Sequence, residues 1–315
     1  WALKTRIHRD RESGILTISQ EAYILEVLAR FGMLACKGEE TPFPAKLCLT
    51  SPKKVTDEEV REAQQYPIRE LIGCLTWLAQ ISRPDISAAL HEAQVRQHRP
   101  TKELWQHLRR ILRYLKAYPH YGMVYRRPQH LNQCPTLDQF VDIAFCPEPD
   151  THLGKSILGG VVRFFGQPTT WFTKRSNRVH SSTSEAECNG LTEIGNENVW
   201  QRSVQVLMGI YDVSDPTLTW EDNSAAVTLS GANTYHARSK HFGLEWYQTR
   251  ERIHVGEMDV IFVPTKMQLA DVMTKTGFTV AEFHRLRDAL MGDNESQLHF
   301  GRLAPPSPTE LGMTN

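Results

Sequence analysis

The sequence predicts an α/β domain with a five-stranded sheet, preceded by a mostly helical region. Its 315 residues, 40% of them hydrophobic, are enough for two packed cores. Apolar residues recur at helical spacing between Thr56 and about Lys116. After about Asn132, short strand patterns alternate with helical ones, which is typical of an α/β domain.

The first 52 residues predict a hairpin, one helix and a loop. Polar and apolar residues alternate on both sides of a turn at Glu12 to Gly14, which predicts two antiparallel strands. Apolar positions from Ala22 to Phe31 follow helical spacing, and Gly32 is placed to end that helix. Prolines make Thr41 to Pro52 a loop.

Three helices are predicted next. Thr56 and Glu59 have the spacing of a capping box, so a helix begins there. Pro84 and Pro100 divide the helical pattern into three pieces that end near Lys116.

The end of this helical region is strongly basic, although Lys plus Arg and Asp plus Glu both number 36 in the whole chain. Between Val95 and Pro128, Glu103 is the only acid. The basic residues there are Arg96, Arg99, Lys102, Arg109, Arg110, Arg113, Lys116, Arg126 and Arg127. Such a run forms either a solvated helix face or a surface that binds phosphates. Because nearly all of its charges are positive, a phosphate-binding surface is favoured. The interleaved aromatics Trp105, Tyr114 and Tyr118 have the helical spacing of core residues.

Five strands and a long helix are predicted in the second region. The strands are Gln139 to Phe145, Gly159 to Phe165, Thr169 to Thr173, Thr217 to Glu221 and Asp259 to Val263. The long helix runs from about Ser184 to Met208, and the residues after Met291 have the composition of a disordered tail.

Several classes of site are disfavoured by composition. The six cysteines have no CxxC spacing, so neither a structural zinc site nor a disulfide framework is expected, and a reducing intracellular setting, cytoplasmic or nuclear, fits best. No apolar run approaches membrane-spanning length, and nothing indicates a secretory leader or a small-molecule cofactor. The first residue is Trp, so we expect an excised piece of a larger protein.

Four acids in the second region stand at unusual places. Asp142 lies within the first strand, Glu187 in the first turns of the long helix, Asp222 at the end of a strand, and Asp271 at the start of a helix. Apolar neighbours surround the two strand acids, so ordinary surface positions are improbable for them. If these acids meet, their repulsion, roughly 4 kcal/mol for a pair at about 4 Å, requires cations. Two Mg²⁺ or Mn²⁺ ions, which prefer oxygen ligands, would activate water for attack on a phosphodiester.

At these acids the sequence resembles the ribonuclease H domain of copia-type retrotransposon polyproteins. Val141 to Phe145 resembles the first-strand motif, and Ser181 to Glu187 resembles the signature that opens the long helix. Asp222-Asn223 resembles the third acidic motif, and Ala270-Asp271 with Thr274-Lys275 the fourth. The resemblance implies a ribonuclease H-like mixed five-stranded sheet with flanking helices. It also implies that Asp142, Glu187, Asp222 and Asp271 are the metal ligands.

The sequence departs from the family pattern in three respects. Ala144 and Phe145 replace an aspartate and a tryptophan of the first motif, and the loop from Pro264 to Leu269 lacks the histidine found in many ribonucleases H. Slower turnover is therefore expected. Glu185 competes with Glu187 as ligand, but Gly190 and Leu191 follow Glu187 at the spacing that the wider pattern requires. A zinc pair of His236 and His241 is disfavoured because no further ligands accompany it.

The first half resembles the segments that follow the polymerase palm in these elements, including Leu71 to Leu75, Arg83 to Asp85 and Arg110 to Lys116. The chain contains no Asp-Asp pair, so the polymerase site is not expected here. The predicted organisation is a reverse transcriptase thumb and connection remnant at 1–128, a ribonuclease H domain at 129–292, and a disordered tail at 293–315.

The expected partners are an RNA/DNA hybrid and the missing polymerase part of the polyprotein, with no membrane. Hybrids are held through the backbone, so basic residues are the binding candidates. They are Lys174, Arg175 and Arg178 in the loop before the long helix, Arg238 and Lys240, and Arg109, Arg110, Arg113 and Lys116 in the first region. Besides an endonuclease that cuts RNA in a hybrid, a non-catalytic nucleic-acid-binding or structural protein stays open. A transposase or integrase core is disfavoured by the four-acid order.

Overall fold

The computed structural model describes residues 3–127, 137–210, 215–231 and 243–292. A three-stranded antiparallel sheet opens the fold, with β1 at Arg6–Asp10, β2 at Ile15–Ser19 and β3 at Gly122–Arg126. The predicted hairpin of β1 and β2 is confirmed. Strand β3 was not predicted, because its pairing partner β2 lies about a hundred residues earlier in the chain.

Five helices complete the first half, one more than predicted. They are α1 at Glu21–Arg30, α2 at Asp57–Ala63, α3 at Ile68–Ile81, α4 at Ser87–Arg96 and α5 at Lys102–Ala117. The expected capping box is present, since Thr56 and Glu59 exchange hydrogen bonds at the start of α2. Pro67 then separates α2 from α3, because proline has no N–H with which to continue the first helix.

The second half contains the five-stranded sheet in the order β6-β5-β4-β7-β8. Its strands are β4 at Leu137–Ala144, β5 at Lys155–Phe164, β6 at Gln167–Val179, β7 at Thr217–Glu221 and β8 at Met258–Phe262. Strands β4, β5 and β6 pair antiparallel, whereas β7 pairs parallel with β4 and with β8. The predicted fold class, a mixed five-stranded sheet with flanking helices after a mostly helical region, is confirmed.

Six helices accompany this sheet in the described residues. They are α6 at Pro149–His152, α7 at Thr183–Leu207, α8 at Ser224–Gly231, α9 at Gly243–His254, α10 at Asp271–Thr274 and α11 at Val280–Met291. The long predicted helix is α7, with each end within one residue of its expected position.

A single hydrophobic cluster joins the two halves. It contains Leu28 and Leu75 from the first half together with Phe140, Trp220 and Phe283 from the second. Tyr114 of α5, fully buried, lies edge-on to the ring of Phe283 at 5.8 Å between centroids, as expected of a core aromatic. The shared core fixes the helical region against the face of the sheet that carries the acids. The predicted boundary near 128 and the tail at 293–315 lie outside the described residues.

Among the described helices, none has the combination of length and apolar character that membrane crossing requires.

Candidate active site

Asp142 lies near the end of the central strand β4, between neighbours that are fully or almost fully buried. Its own side chain is 4% exposed. The Thr274 hydroxyl donates a hydrogen bond to Oδ2 of Asp142, and Nζ of Lys275 lies 3.3 Å from Oδ1. Burial raises the pKa of Asp142 against the opposing effects of Lys275 and Thr274.

A glycine on β5 leaves room for α10 to pack beside Asp142. Gly159 stands directly opposite Asp142 in the β4–β5 register. A Cβ at Gly159 would lie 2.6 Å from Cβ of Met273 and 2.7 Å from Cγ2 of Thr274, so a larger residue would push α10 away. Thr173 on β6 completes the contact by donating a 2.7 Å hydrogen bond to the Met273 carbonyl oxygen. Close packing of α10 therefore brings its first residue, Asp271, to the sheet.

Asp271 and Asp222 approach Asp142 from two different elements. Asp222 follows the last residue of β7, and because β7 runs parallel to β4, both strands deliver their acids to the same end of the sheet. One carboxylate oxygen from each of Asp142, Asp222 and Asp271 lies within 4.8 Å of the others. Nζ of Lys275 also contacts Oδ1 of Asp271 at 2.5 Å. Burial, with the charge of Asp142, raises the pKa of Asp271 to about 7.

Glu187 lies in the second turn of α7 and is 5% exposed. Burial, then the charges of Asp142 and Asp222, raise its pKa to about 9, so Glu187 is in the field of the aspartate cluster. Its Oε2 atom is buried and forms no hydrogen bond with the described residues. It is not among the three acids whose oxygens lie within 4.8 Å.

Glu185, the competing acid, has a structural contact instead. Its Oε2 accepts hydrogen bonds from the Ser181 backbone N–H at 2.7 Å and from the Ser181 hydroxyl at 2.6 Å. Burial raises the pKa of Glu185, but the hydrogen bonds from Ser181, which hold it at the N-terminus of α7, bring the pKa below its ordinary value.

A fifth carboxylate, Glu221, was missed by the sequence analysis. It is the last residue of β7 and is fully buried. Oε1 accepts a 2.9 Å hydrogen bond from the Asn223 backbone N–H, whereas Oε2 has no partner among the described residues. Burial and then the charge of Glu187 raise its pKa well above the ordinary value. A glutamate directly before the Asp-Asn pair was the available signal.

Lys275 and Gln268 were also missed as functional candidates. Lys275 is the cation that contacts both Asp142 and Asp271. Gln268, in the loop where no histidine stands, is fully buried, and its side-chain Nε2 donates to the carbonyl oxygens of Val141 at 2.9 Å and Trp220 at 3.3 Å. The loop is thereby fixed to the two strands that position the aspartates.

The donor set fits a hard divalent cation. All of the clustered ligands are carboxylate oxygens, the ligand type that Mg²⁺ and Mn²⁺ prefer. Buried carboxylate oxygens of Glu187 and Glu221 have no hydrogen-bond donor among the described residues. Buried acceptors without donors are costly, and a cation held by the cluster would relieve that cost electrostatically.

The basic candidates of the second half lie on β6 rather than in a loop, because that strand extends through Val179. Lys174 pairs with Glu193 at 2.6 Å, and Arg178 lies 3.9 Å from Glu185. Arg175 is partly exposed and lines a cavity between β6 and α4. Arg238 and Lys240 lie outside the described residues, as do His236 and His241.

The basic candidates of the first half lie on α5. Arg110 and Arg113 share one carboxylate, Glu39, at 3.1 Å and 2.6 Å. Arg109 is exposed, and Lys116 is partly exposed. Part of the basic run is therefore less available for phosphate binding, because Arg110 and Arg113 form ion pairs with Glu39.

No family model matches this chain. The chain is 33% identical over 262 residues to the retrovirus-related Pol polyprotein from transposon RE1 of Arabidopsis thaliana. It is 31% identical over 260 residues to that from transposon RE2 of the same plant. Each alignment covers 82% of this chain but 17% of the relative, so the chain spans about a sixth of their length.

Among solved structures, the N-terminal RNase H domain of a Mycobacterium tuberculosis protein, fused to maltose-binding protein, superimposes with a TM-score of 0.32 at 15% identity. That match covers 50% of this chain and 96% of the domain. The polyprotein alignments, in contrast, extend over most of the chain. Over most of its length the chain is therefore homologous to one part of the copia-type retrotransposon Pol polyproteins.

Proposed function

We propose that this chain hydrolyses the RNA strand of RNA/DNA hybrids in a reaction that depends on a divalent cation. The observation that carries the proposal is the meeting of Asp142, Asp222 and Asp271, with oxygens within 4.8 Å of one another, beside the buried Glu187. These acids come from a strand, a strand end, a short helix and a long helix. Such convergence of remote acids is costly unless the site binds cations.

Asp142, Glu187, Asp222 and Asp271 are the residues that would hold Mg²⁺ or Mn²⁺, with two ions as the expected number. When bound, the ions would lower the pKa of water and neutralise charge that develops on the phosphodiester. The chain itself fixes the acids: Thr274 holds Asp142 by a hydrogen bond, and Gln268 holds the strand before it. Cation binding would also let Glu187 and Asp271 ionise near neutral pH, against the burial that raises the pKa of both.

Lys275 contributes a fixed positive charge to the same cluster. It contacts Asp142 at 3.3 Å and Asp271 at 2.5 Å, and its burial is tolerated because both partners are acids. We propose that Lys275 limits repulsion among the acids in the metal-free protein. Since its side chain is 38% exposed, it can move outward when a cation arrives.

The contact of Lys275 also favours an alternative function. A cluster already neutralised in part by a lysine could persist in a protein that binds hybrids without cutting them. Ala144, Phe145 and the loop without a histidine are compatible with that alternative.

The experiment is cleavage of a labelled RNA strand, either in an RNA/DNA hybrid or in an RNA duplex, with Mg²⁺ or Mn²⁺. Wild-type protein is compared with Asp222→Asn and with Asp259→Asn, an exposed acid on β8 that serves as matched control. We expect cation-dependent cutting of the hybrid alone, lost in Asp222→Asn and kept in Asp259→Asn. If the wild type bound the hybrid without cutting it, the alternative function, binding of hybrids without hydrolysis, would be supported instead.

A further inference from the structure

A second group of metal-ligating side chains lies between the two halves of the molecule, away from the aspartate cluster. Glu92 comes from α4, Glu148 immediately precedes α6, and His152 ends α6. One ligand atom from each lies within 4.8 Å of the other two. The group therefore joins a helix of the first half to the chain that follows β4.

The side chain of His152 is the third member of this group. Its ring is fully buried, and neither Nδ1 nor Nε2 makes a hydrogen bond with the described residues. Nε2 lies 3.5 Å from Oε1 of Glu92, so the ring is directed at the carboxylates. A buried imidazole without hydrogen bonds raises the free energy of the folded state, unless a group accepts a hydrogen bond from its N–H or an ion binds its lone pair.

The charges of the group do not balance. Arg96, 3% exposed, contacts Oε2 of Glu92 and lies 2.5 Å from Oε2 of Glu148. Two carboxylates therefore face one guanidinium, and one negative charge stays uncompensated within the group. A bound cation would supply the missing positive charge.

The neighbouring histidine, His91, stacks on His152 with 6.1 Å between ring centroids and an interplanar angle of 5°. Nε2 of His91 is also buried without a hydrogen-bond partner among the described residues, so two adjacent imidazoles have unpaired nitrogen atoms here.

We propose that Glu92, Glu148 and His152 bind a divalent transition-metal ion of the Zn²⁺ class. One imidazole nitrogen with two carboxylate oxygens suits Zn²⁺ or Co²⁺, whereas Mg²⁺ prefers oxygen ligands alone. Glu92 contacts Arg96 through Oε2 and keeps Oε1 towards His152. The Glu148 side chain is 43% exposed, which gives an ion a route from solvent.

Binding at this position would stabilise the contact between the two halves. The ligands lie on α4 and on the segment around α6, which are separated by more than fifty residues in the chain. An ion that binds only the folded arrangement raises the free energy of unfolding by mass action. The site is chemically distinct from the all-oxygen aspartate cluster, so excess Mg²⁺ should not compete for it.

The test is isothermal titration of the full chain with Zn²⁺ in excess Mg²⁺, comparing wild type with Glu148→Gln and Asp150→Asn. Asp150 is the matched control because it lies two residues from Glu148, pairs with Lys53 at 3.4 Å and is outside the group. Background binding to the free thiols is common to all three proteins. We expect one Zn²⁺ site in wild type and in Asp150→Asn, and at least about tenfold weaker binding in Glu148→Gln.

Thermal unfolding supplies a second readout. Zn²⁺ should raise Tm in wild type and Asp150→Asn, but not in Glu148→Gln or His152→Gln. Equal Zn²⁺ affinity in wild type and Glu148→Gln would overturn the proposal. It would also be overturned if Zn²⁺ raised Tm equally in wild type and His152→Gln.

Discussion

The side chain of Gln268 donates a 2.9 Å hydrogen bond to the carbonyl oxygen of Val141, the residue immediately before Asp142. The same Nε2 reaches the Trp220 carbonyl oxygen at 3.3 Å, and Oε1 accepts from the Ala270 backbone N–H at 3.2 Å. One amide therefore joins the three segments that lead into Asp142, Asp222 and Asp271. This cross-link is the structural reason that three acids remote in sequence keep a common position.

Replacement of Gln268 by Leu should weaken this arrangement without a large change in volume. The buried carbonyl oxygens of Val141 and Trp220 would lose a donor, which costs about 1 to 3 kcal/mol in the free energy of unfolding. Urea denaturation measures that loss, and Mn²⁺ titration should show weaker binding because the acids are displaced. Gln65→Leu, at an exposed glutamine, is the control. Unaltered Mn²⁺ affinity in Gln268→Leu would show that the amide does not position the acids.

Replacement of Lys275 by Met removes the cation that contacts Asp142 and Asp271. The free energy of unfolding of the metal-free variant should be about 1 to 2 kcal/mol lower than that of metal-free wild type. The loss is smaller than for a fully buried ion pair because the Lys275 side chain is 38% exposed. Mg²⁺ should restore more stability to this variant than to wild type. Urea denaturation with and without Mg²⁺ measures both effects, with the exposed Lys266→Met as control. If Mg²⁺ stabilises all three proteins equally, Lys275 does not substitute for a bound cation.

The metal-free protein should lose stability as pH rises from about 5 to about 9. Burial and neighbouring acids raise the pKa of Asp271 to about 7 and of Glu187 to about 9, so the native state binds more protons in this range than the unfolded chain does. Each such group lowers the free energy of unfolding by up to about 1.4 kcal/mol per pH unit.

Glu187→Gln tests the origin of this pH dependence. The variant keeps the size of the side chain but no longer titrates, so its stability should fall less steeply above pH 7. Saturating Mg²⁺ should flatten the wild-type curve as well. Parallel curves for wild type and Glu187→Gln, measured by urea denaturation at several pH values, would exclude Glu187 as the titrating group.

Salt dependence of hybrid binding tests the basic surface on α5. Arg109 is exposed and pairs with no carboxylate of the described residues, whereas Arg113 pairs with Glu39 at 2.6 Å. Arg109→Ala should therefore reduce the slope of log affinity against log salt by about 0.7 to 0.9 for one lost phosphate contact. Arg113→Ala should reduce it less, because Glu39 already compensates part of that charge. Slopes that match wild type in both variants would place hybrid binding elsewhere.

Periodicity predicted most elements of the sheet, because strand and helix patterns are local properties of the chain. Strand β7 begins and ends where the sequence predicts, and α7 lies within one residue of its expected bounds. Strand β3 was missed, since Gly122 to Arg126 is short, follows a basic run and pairs only with a remote strand. Local patterns contain no information on such a partner.

Tertiary contacts decide the parts of the site that the sequence did not predict. Arg96 belongs to the basic run, yet it is buried between Glu92 and Glu148, the second of which lies 52 residues away. Gln268 is unremarkable in sequence. Lys275 belongs to the fourth acidic motif, but its contact with Asp142 is visible only when the strands place the two residues together. Asp142 and Asp222 could be singled out in sequence because charged residues among apolar strand neighbours are already unusual in one dimension.

Mn²⁺ binding, followed by electron paramagnetic resonance, tests whether these acids form one divalent-cation site. Wild-type protein and Asp259→Asn should bind Mn²⁺ equally, and Mg²⁺ should compete in both. Asp222→Asn should bind at least about tenfold more weakly, because it removes one of three carboxylates whose oxygens lie within 4.8 Å. Equal Mn²⁺ affinity in Asp222→Asn and in wild type would show that these acids do not bind a divalent cation together.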